Sequence, residues 1–295
     1  MARPALSAVV ELLKPITWFP PMWAFGCGVV SSGVAAAGHW PEIVTGVVLA
    51  GPLVCATSQA ANDWFDRHVD AINEPQRPIP SGRMPGRWGL YVAIVWTLLS
   101  LAVAALLGAW VFGAAAAGLV LAWAYSAPPF RFKQNGWWGN GACALSYEGL
   151  AWVTGAAVMV GGALPEPRII ILALLYSIGS HGIMTLNDFK SVDGDRQMGV
   201  GSLPVRLGVQ GAARAACVIM GAAQVAVVFC LIFWGRQAHA LAVGGLLLLQ
   251  VILMDHFLDR PSERAIFYSG LGVTLYVIGM QVSAWALRTS PAVAG

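Results

Sequence analysis

The chain has 295 residues, of which 58% are hydrophobic and only 11% charged, whereas about 25% of a soluble globular protein is charged. Its formal net charge is +3, and its basic residues are scattered instead of gathered on one face, which argues against a nucleic-acid surface. Lipid must solvate most of this protein.

Taken in chain order, Val9 to Lys14 predicts an interfacial helix leading into the first apolar run. Pro15, Pro20 and Pro21 interrupt any early apolar segment, so no cleavable signal peptide is expected. A membrane-spanning helix needs about 20 apolar residues. Runs of that kind lie near 18–37, 43–61, 88–107, 109–126, 141–162, 169–187, 211–234, 238–255 and 266–287. The expected architecture is all-α, a nine-helix transmembrane bundle around a central cavity. Residues 1–295 then make one membrane domain with two weakly similar halves. With the N-terminus inside, fourteen of the 17 basic residues fall on the inner side, and only Arg168, Arg236 and Arg288 lie outside. That bias places the long polar loops 62–87, 127–140 and 188–210 in the cytoplasm. The five cysteines lie in apolar runs with no CxxC pair, as expected of small buried hydrophobes.

The second and sixth runs end alike. Asn62-Asp63-x-x-Asp66-x-x-x-Asp70 returns 125 residues later as Asn187-Asp188-x-x-Ser191-x-x-x-Asp195, with an aromatic residue after each pair (Trp64, Phe189). Five of the chain's 14 acidic residues occupy matching positions here. Carboxylates are costly beside lipid and are kept there for ion or substrate chemistry. At about 100° per residue, offsets 0, 1, 4 and 8 share one helix face, provided each helix continues that far. Asp193 falls opposite. Hard oxygen donors of this type suit Mg²⁺, which retains waters and bridges to phosphates. The candidate ligands are Asn62, Asp63, Asp66, Asp70, Asn187, Asp188 and Asp195, and two facing clusters could hold two ions around a diphosphate. Phosphate-pairing cations are at hand in Arg77, on a proline-stiffened loop, in Arg131 and Lys133 past the fourth run, and in Lys190 within the second motif.

Two further polar residues stay open between roles. Glu148, within the fifth run, would face either a substrate pocket or a buried hydrogen bond. His181, one to two turns before Asn187, could ligate a metal, touch an acceptor, or satisfy a neighbouring helix. An ion-coupled transporter would carry its polar residues at mid-bilayer depth on both repeats, whereas these acids cluster at one edge. A pigment-binding protein would want mid-span histidines, and only His181 is a candidate.

The stretch Asn62-Asp63-Trp64-Phe65-Asp66-Arg67-His68-Val69-Asp70, with Asn73-Glu74-Pro75-x-Arg77-Pro78-Ile79-Pro80-Ser81-Gly82, resembles the first motif of the UbiA superfamily of intramembrane prenyltransferases. Asn187 to Arg196 with Ser202-Leu203-Pro204-Val205 is similar to the second motif of its chlorophyll synthase branch. Tyr125-Ser126-Ala127-Pro128-Pro129 with Lys133, and Gly136-Trp137-Trp138-Gly139, resemble that branch's middle loop. Leu13 to Trp23 and His181 to Phe189 look most like the members that act on bacteriochlorophyllide a. The resemblance runs from about residue 10 to 287. It implies esterification of the bacteriochlorophyllide a propionate by geranylgeranyl or phytyl diphosphate, with diphosphate released. It also implies an inner or intracytoplasmic bacterial membrane with its lipid as surroundings, and names no pigment-assembly partner. The family's Mg²⁺ and diphosphate roles would fall on Asn62, Asp63, Asp66, Asp70, Asp188 and Asp195, and its phosphate-contacting bases on Arg77 and Lys133, with Tyr125 close by. Members acting on chlorophyllide a, quinone precursors or haem are the alternatives within the family.

Overall fold

The computed structural model describes residues 3–288, and among them regular structure is helical apart from one bridging pair, Asn135 with Gly201. Helix α1 (Leu6–Leu13) lays Ala8, Leu12 and Leu13 on a core that includes Ala56, Ala60, Ala61 and Met84. There follow α2 (Phe19–Ser31), α3 (Trp40–Asn73), α4 (Trp88–Leu107), α5 (Ala109–Ser126), α6 (136–159) and α7 (Pro167–Asp188). A short helix α8 (Val192–Gln197) precedes α9 (Leu203–Phe233), α10 (Gln237–Asp259) and α11 (Pro261–Arg288).

Among the described residues, seven helices are long and apolar enough to cross a membrane: α3, α4, α5, α7, α9, α10 and α11. The two other expected spans form helices too, but differ for identifiable reasons. Helix α2 has 13 residues, roughly 20 Å at 1.5 Å per residue, against about 30 Å of hydrocarbon. Helix α6 is diluted by Ser146, Tyr147 and Glu148. These two pack closely on each other through glycines. A Cβ on Gly28 would lie 2.0 Å from the Trp152 carbonyl oxygen, and one on Gly155 would lie 2.1 Å from that of Phe25. Small residues that admit backbone contact are the usual adhesive where lipid supplies no hydrophobic drive.

Several polar groups inside the bundle are paired, as an apolar surrounding favours. Tyr276 donates to the Tyr176 carbonyl at 2.7 Å, the Tyr176 and Ser283 hydroxyls meet at 2.8 Å, and Gln224 and Gln250 exchange amide hydrogen bonds. Two helices contain a widened π-helical stretch, Leu49–Cys55 in α3 and Leu145–Leu150 in α6. The first holds Pro52, whose missing N–H and bulky ring disfavour a regular α-turn. Such stretches are rare and often sit at functional sites. Residues of both line the same internal cavity.

Candidate active site

Helix α3 stays helical to Asn73, so Asn62, Asp63, Asp66 and Asp70 share one face, as the spacing predicts. Each carboxylate on that face has a cation. Lys14 Nζ lies 2.7 Å from Asp63 Oδ1, Arg77 reaches Asp70 Oδ2 at 3.0 Å and Asp63 Oδ1 at 3.4 Å, and Lys133 pairs with Asp66. Asn62 donates to Asp66 at 2.9 Å and to the Ser126 hydroxyl at 3.2 Å. Arg77 also grips Glu74. Partial burial pulls the Arg77 guanidinium down, yet the Glu74 hydrogen bonds and the Asp63 and Asp70 charges hold it above the ordinary arginine value.

The second motif is built differently. The expected helix through Asp195 does not form. Helix α7 stops at Asp188, because the Phe189 ring turns into the core edge-on to Phe257, and the Ser191 amide and hydroxyl both bond back to the Asp188 carbonyl. Asp188 accepts from Asn140 Nδ2 at 3.1 Å. Ser191 donates to Asp195 at 3.0 Å, so that pair survives the break. Asp193 is exposed with Arg196 at 3.5 Å, off the site as expected.

Asn62 from the first motif and Asn187 and Asp188 from the second line one cavity of ≈ 280 Å³. Its polar wall adds Tyr125, Asn140, Tyr147, Ser58 and Gln59, and its depth is made by Pro21, Ala50, Val54, Gly118 and Leu121. A narrower extension of ≈ 30 Å³ continues past Gly118 to Leu49, Ala114, Ala115 and Thr154. The loop between α5 and α6 is tied to the segment between α8 and α9. Gly136 N–H donates to the Gly201 carbonyl at 2.8 Å and Gly201 N–H to that of Gln134 at 3.0 Å, while a Cβ at Gly136 would sit 2.6 Å from the Leu203 nitrogen.

Of the expected site residues Asn62, Tyr125, Asn187 and Asp188 line the cavity, whereas Asp63, Asp66, Asp70, Asp195, Arg77 and Lys133 stand outside its lining. Glu148 is buried but does not line the cavity. His181 lies outside it too, stacked against Trp137 at 5.3 Å with Nε2 at 3.2 Å from the Trp137 carbonyl. Lys190 is exposed and also outside the cavity lining. Conversely, sequence reasoning missed Lys14, Asn140, Gln59 and Tyr147. Tyr147 takes a hydrogen bond from Gln59 at 3.0 Å, and Cys55 and Cys143 line the cavity beside it. Asn140, at the border between the polar loop 127–140 and the fifth apolar run, carried no signal of its own beforehand.

The donor set fits magnesium. All the motif side chains offer hard oxygens, and Asp63 Oδ2 is buried without a hydrogen-bond partner, an acceptor left for something else to fill. Among the described residues no three His, Cys, Asp or Glu side chains converge on one point. Mg²⁺ is commonly held by one or two carboxylates, with water and substrate phosphate completing its shell, so two protein ligands per ion suffice.

Residues 19–287 match the model of the UbiA prenyltransferase family. The chain is 56% identical over 285 residues to the Bacteriochlorophyll synthase 33 kDa chain of Cereibacter sphaeroides, covering 97% of this chain and 94% of that protein. It is 39% identical to the chloroplastic Chlorophyll synthase of Avena sativa, over 94% of this chain and 75% of the relative. In fold it is similar to a UbiA homolog from Archaeoglobus fulgidus bound to DMAPP and Mg²⁺, with a TM-score of 0.73 at 19% identity over 93% of this chain and 98% of the other.

Proposed function

The chain belongs to the UbiA prenyltransferase family and is a membrane-embedded prenyltransferase, and we propose that it joins a geranylgeranyl or phytyl group to the propionate carboxylate of bacteriochlorophyllide a. The allylic C–O bond of the diphosphate donor breaks with its electron pair leaving on diphosphate, and a carboxylate oxygen forms the new bond to that carbon. One observation carries this reading: the ends of both acidic motifs open on a single cavity that is polar at one end and apolar in its depth.

The chain's own groups divide the work. Arg77 and Lys133 would turn from their carboxylates to the phosphate oxygens, placing fixed positive charge where negative charge develops, usually the largest catalytic contribution. One or two carboxylates among Asp63, Asp66 and Asp70, with Asn62 beside them, would hold one Mg²⁺, and Asp188 with Asn187 or Asp195 a second. Bound there, Mg²⁺ would supply Lewis-acid stabilisation of the leaving group. Tyr125 and Tyr147 border the reacting carbon's space, and the Ala50–Val54–Gly118 depth takes the hydrocarbon tail and excludes water. The acceptor needs no general base, since a carboxylic acid with an ordinary value near 4 is ionised at neutral pH. That agrees with a cavity lined by no histidine.

We read all nine helices as spans, with α2 and α6 shielded by their neighbours, in one domain of two related halves. The positive-inside bias puts the N-terminus and the site at the cytoplasmic face of a bacterial membrane. The test is to incubate the purified protein with Mg²⁺, bacteriochlorophyllide a or chlorophyllide a, and each prenyl diphosphate, and to identify the esters by mass spectrometry. A bacteriochlorophyllide ester is expected. Chlorophyllide ester alone would change the acceptor, and no ester from any pair would overturn the reading.

A further inference from the structure

Lys14 holds a backbone conformation that its neighbours must enforce. Its φ of 46° and ψ of 69° are left-handed, and among the described residues only Arg131 shares a positive φ without being glycine. The residue before a proline ordinarily prefers extended backbone, yet here Pro15 follows. Three hydrogen bonds brace the bend: Lys14 N–H to the Glu11 carbonyl at 3.2 Å, Thr17 Oγ1 to the Lys14 carbonyl at 2.8 Å, and Trp18 Nε1 to the Leu13 carbonyl at 2.9 Å. Glu11 in turn pairs with Arg83, which also donates to the Gln76 carbonyl. Helix α1 is therefore fastened to the loop that carries Arg77.

The result of this strain is one contact, Lys14 Nζ on Asp63 Oδ1. Simple neutralisation of Asp63 would not require it, because Arg77 already reaches the same oxygen. Strained non-glycine backbone held in place by its surroundings tends to mark working sites. The ammonium keeps two further protons to donate and is partly exposed, and its partner Asp63 is the next residue along the helix after Asn62, which lines the cavity.

The geometry points to Lys14 as a third cation of the donor's diphosphate site, beside Arg77 and Lys133. It rests on Asp63 when no donor is bound and shifts to a phosphate oxygen on binding, which frees both Asp63 oxygens. This assignment rests on the prenyltransferase reading above.

Binding of inorganic pyrophosphate with Mg²⁺ to detergent-purified protein, by calorimetry, tests it without turnover. Lys14→Met removes the charge and keeps the aliphatic stem, while Lys14→Gln removes the charge but retains a hydrogen-bond donor for Asp63. Both variants should weaken pyrophosphate binding by about tenfold or more, the scale of one charge-assisted hydrogen bond. The KM for the prenyl donor should rise in step, with the KM for the acceptor unchanged. If Lys14 merely props Asp63, the Gln variant binds pyrophosphate like wild type, and the assignment fails even if the Met variant does not fold. Wild-type protein that binds no pyrophosphate and forms no ester would overturn the functional reading as well. Wild-type binding that Lys14→Gln leaves intact would overturn only this assignment.

Discussion

The two acidic segments match in sequence and differ in how the fold holds them. The first rides on an unbroken helix, and Lys14, Arg77 and Lys133 compensate its carboxylates. The second sits where a helix breaks, and its carboxylates are steadied by the neutral donors Asn140 and Ser191. A segment rich in bound cations has positive charge ready to pass to an anion. A segment held by neutral donors keeps its negative charge for a cation. On the proposed reading a diphosphate carried with Mg²⁺ would use both kinds of surface, the cations beside the first motif for its oxygens and carboxylates of both motifs for the metal.

Substitutions can break that contrast. Asp188→Ala removes a carboxylate that no lysine or arginine among the described residues pairs with, and should lower ester formation by about a hundredfold or more, the scale of losing one preorganised charge-stabilising group. The check is product mass spectrometry on protein that still elutes as a folded species. Near-wild-type turnover would remove the second motif from the site. Lys133→Met should raise the donor KM by about tenfold, on the scale of one charge-assisted hydrogen bond, whereas Lys190→Met, at an exposed position off the cavity, should leave KM and kcat within about twofold. Equal effects from both would erase the distinction between them. Asn140→Ala takes the amide from Asp188 and Thr185. It should cost roughly 1–3 kcal/mol of stability by leaving buried acceptors unsatisfied, read as a fall in the midpoint of thermal unfolding, together with a modest loss of rate. Gly118→Leu should act on chain length more than on rate. A Cβ at Gly118 already makes ordinary contact with Val54 at 3.6 Å and Leu150 at 3.8 Å, so a longer side chain would close the narrow extension. Product ratios from competing C10 and C20 donors should then move toward the shorter one.

Much of this was legible beforehand. The shared face of Asn62, Asp63, Asp66 and Asp70 follows from helical spacing alone, and it holds because α3 runs on to Asn73. The same arithmetic failed at Asp195, because nothing local announces that the Phe189 ring will be drawn against Phe257. Lys14, Asn140 and Gln59 were hidden for a related reason. Each acts through a residue at least 48 positions away, and such partners emerge only when helices pack. Glu148 and His181 looked functional as isolated polar residues in apolar runs. In the structure one is buried off the cavity and the other is engaged with Trp137.

The widened stretch at Leu49–Cys55 sets the angular bearing of everything after it. Were the same seven residues wound as a regular α-coil at about 100° each, they would turn further than the wider coil does and carry the downstream row round with them. Asn62 would then swing off the cavity wall and Asp66 away from Lys133, with no side chain altered.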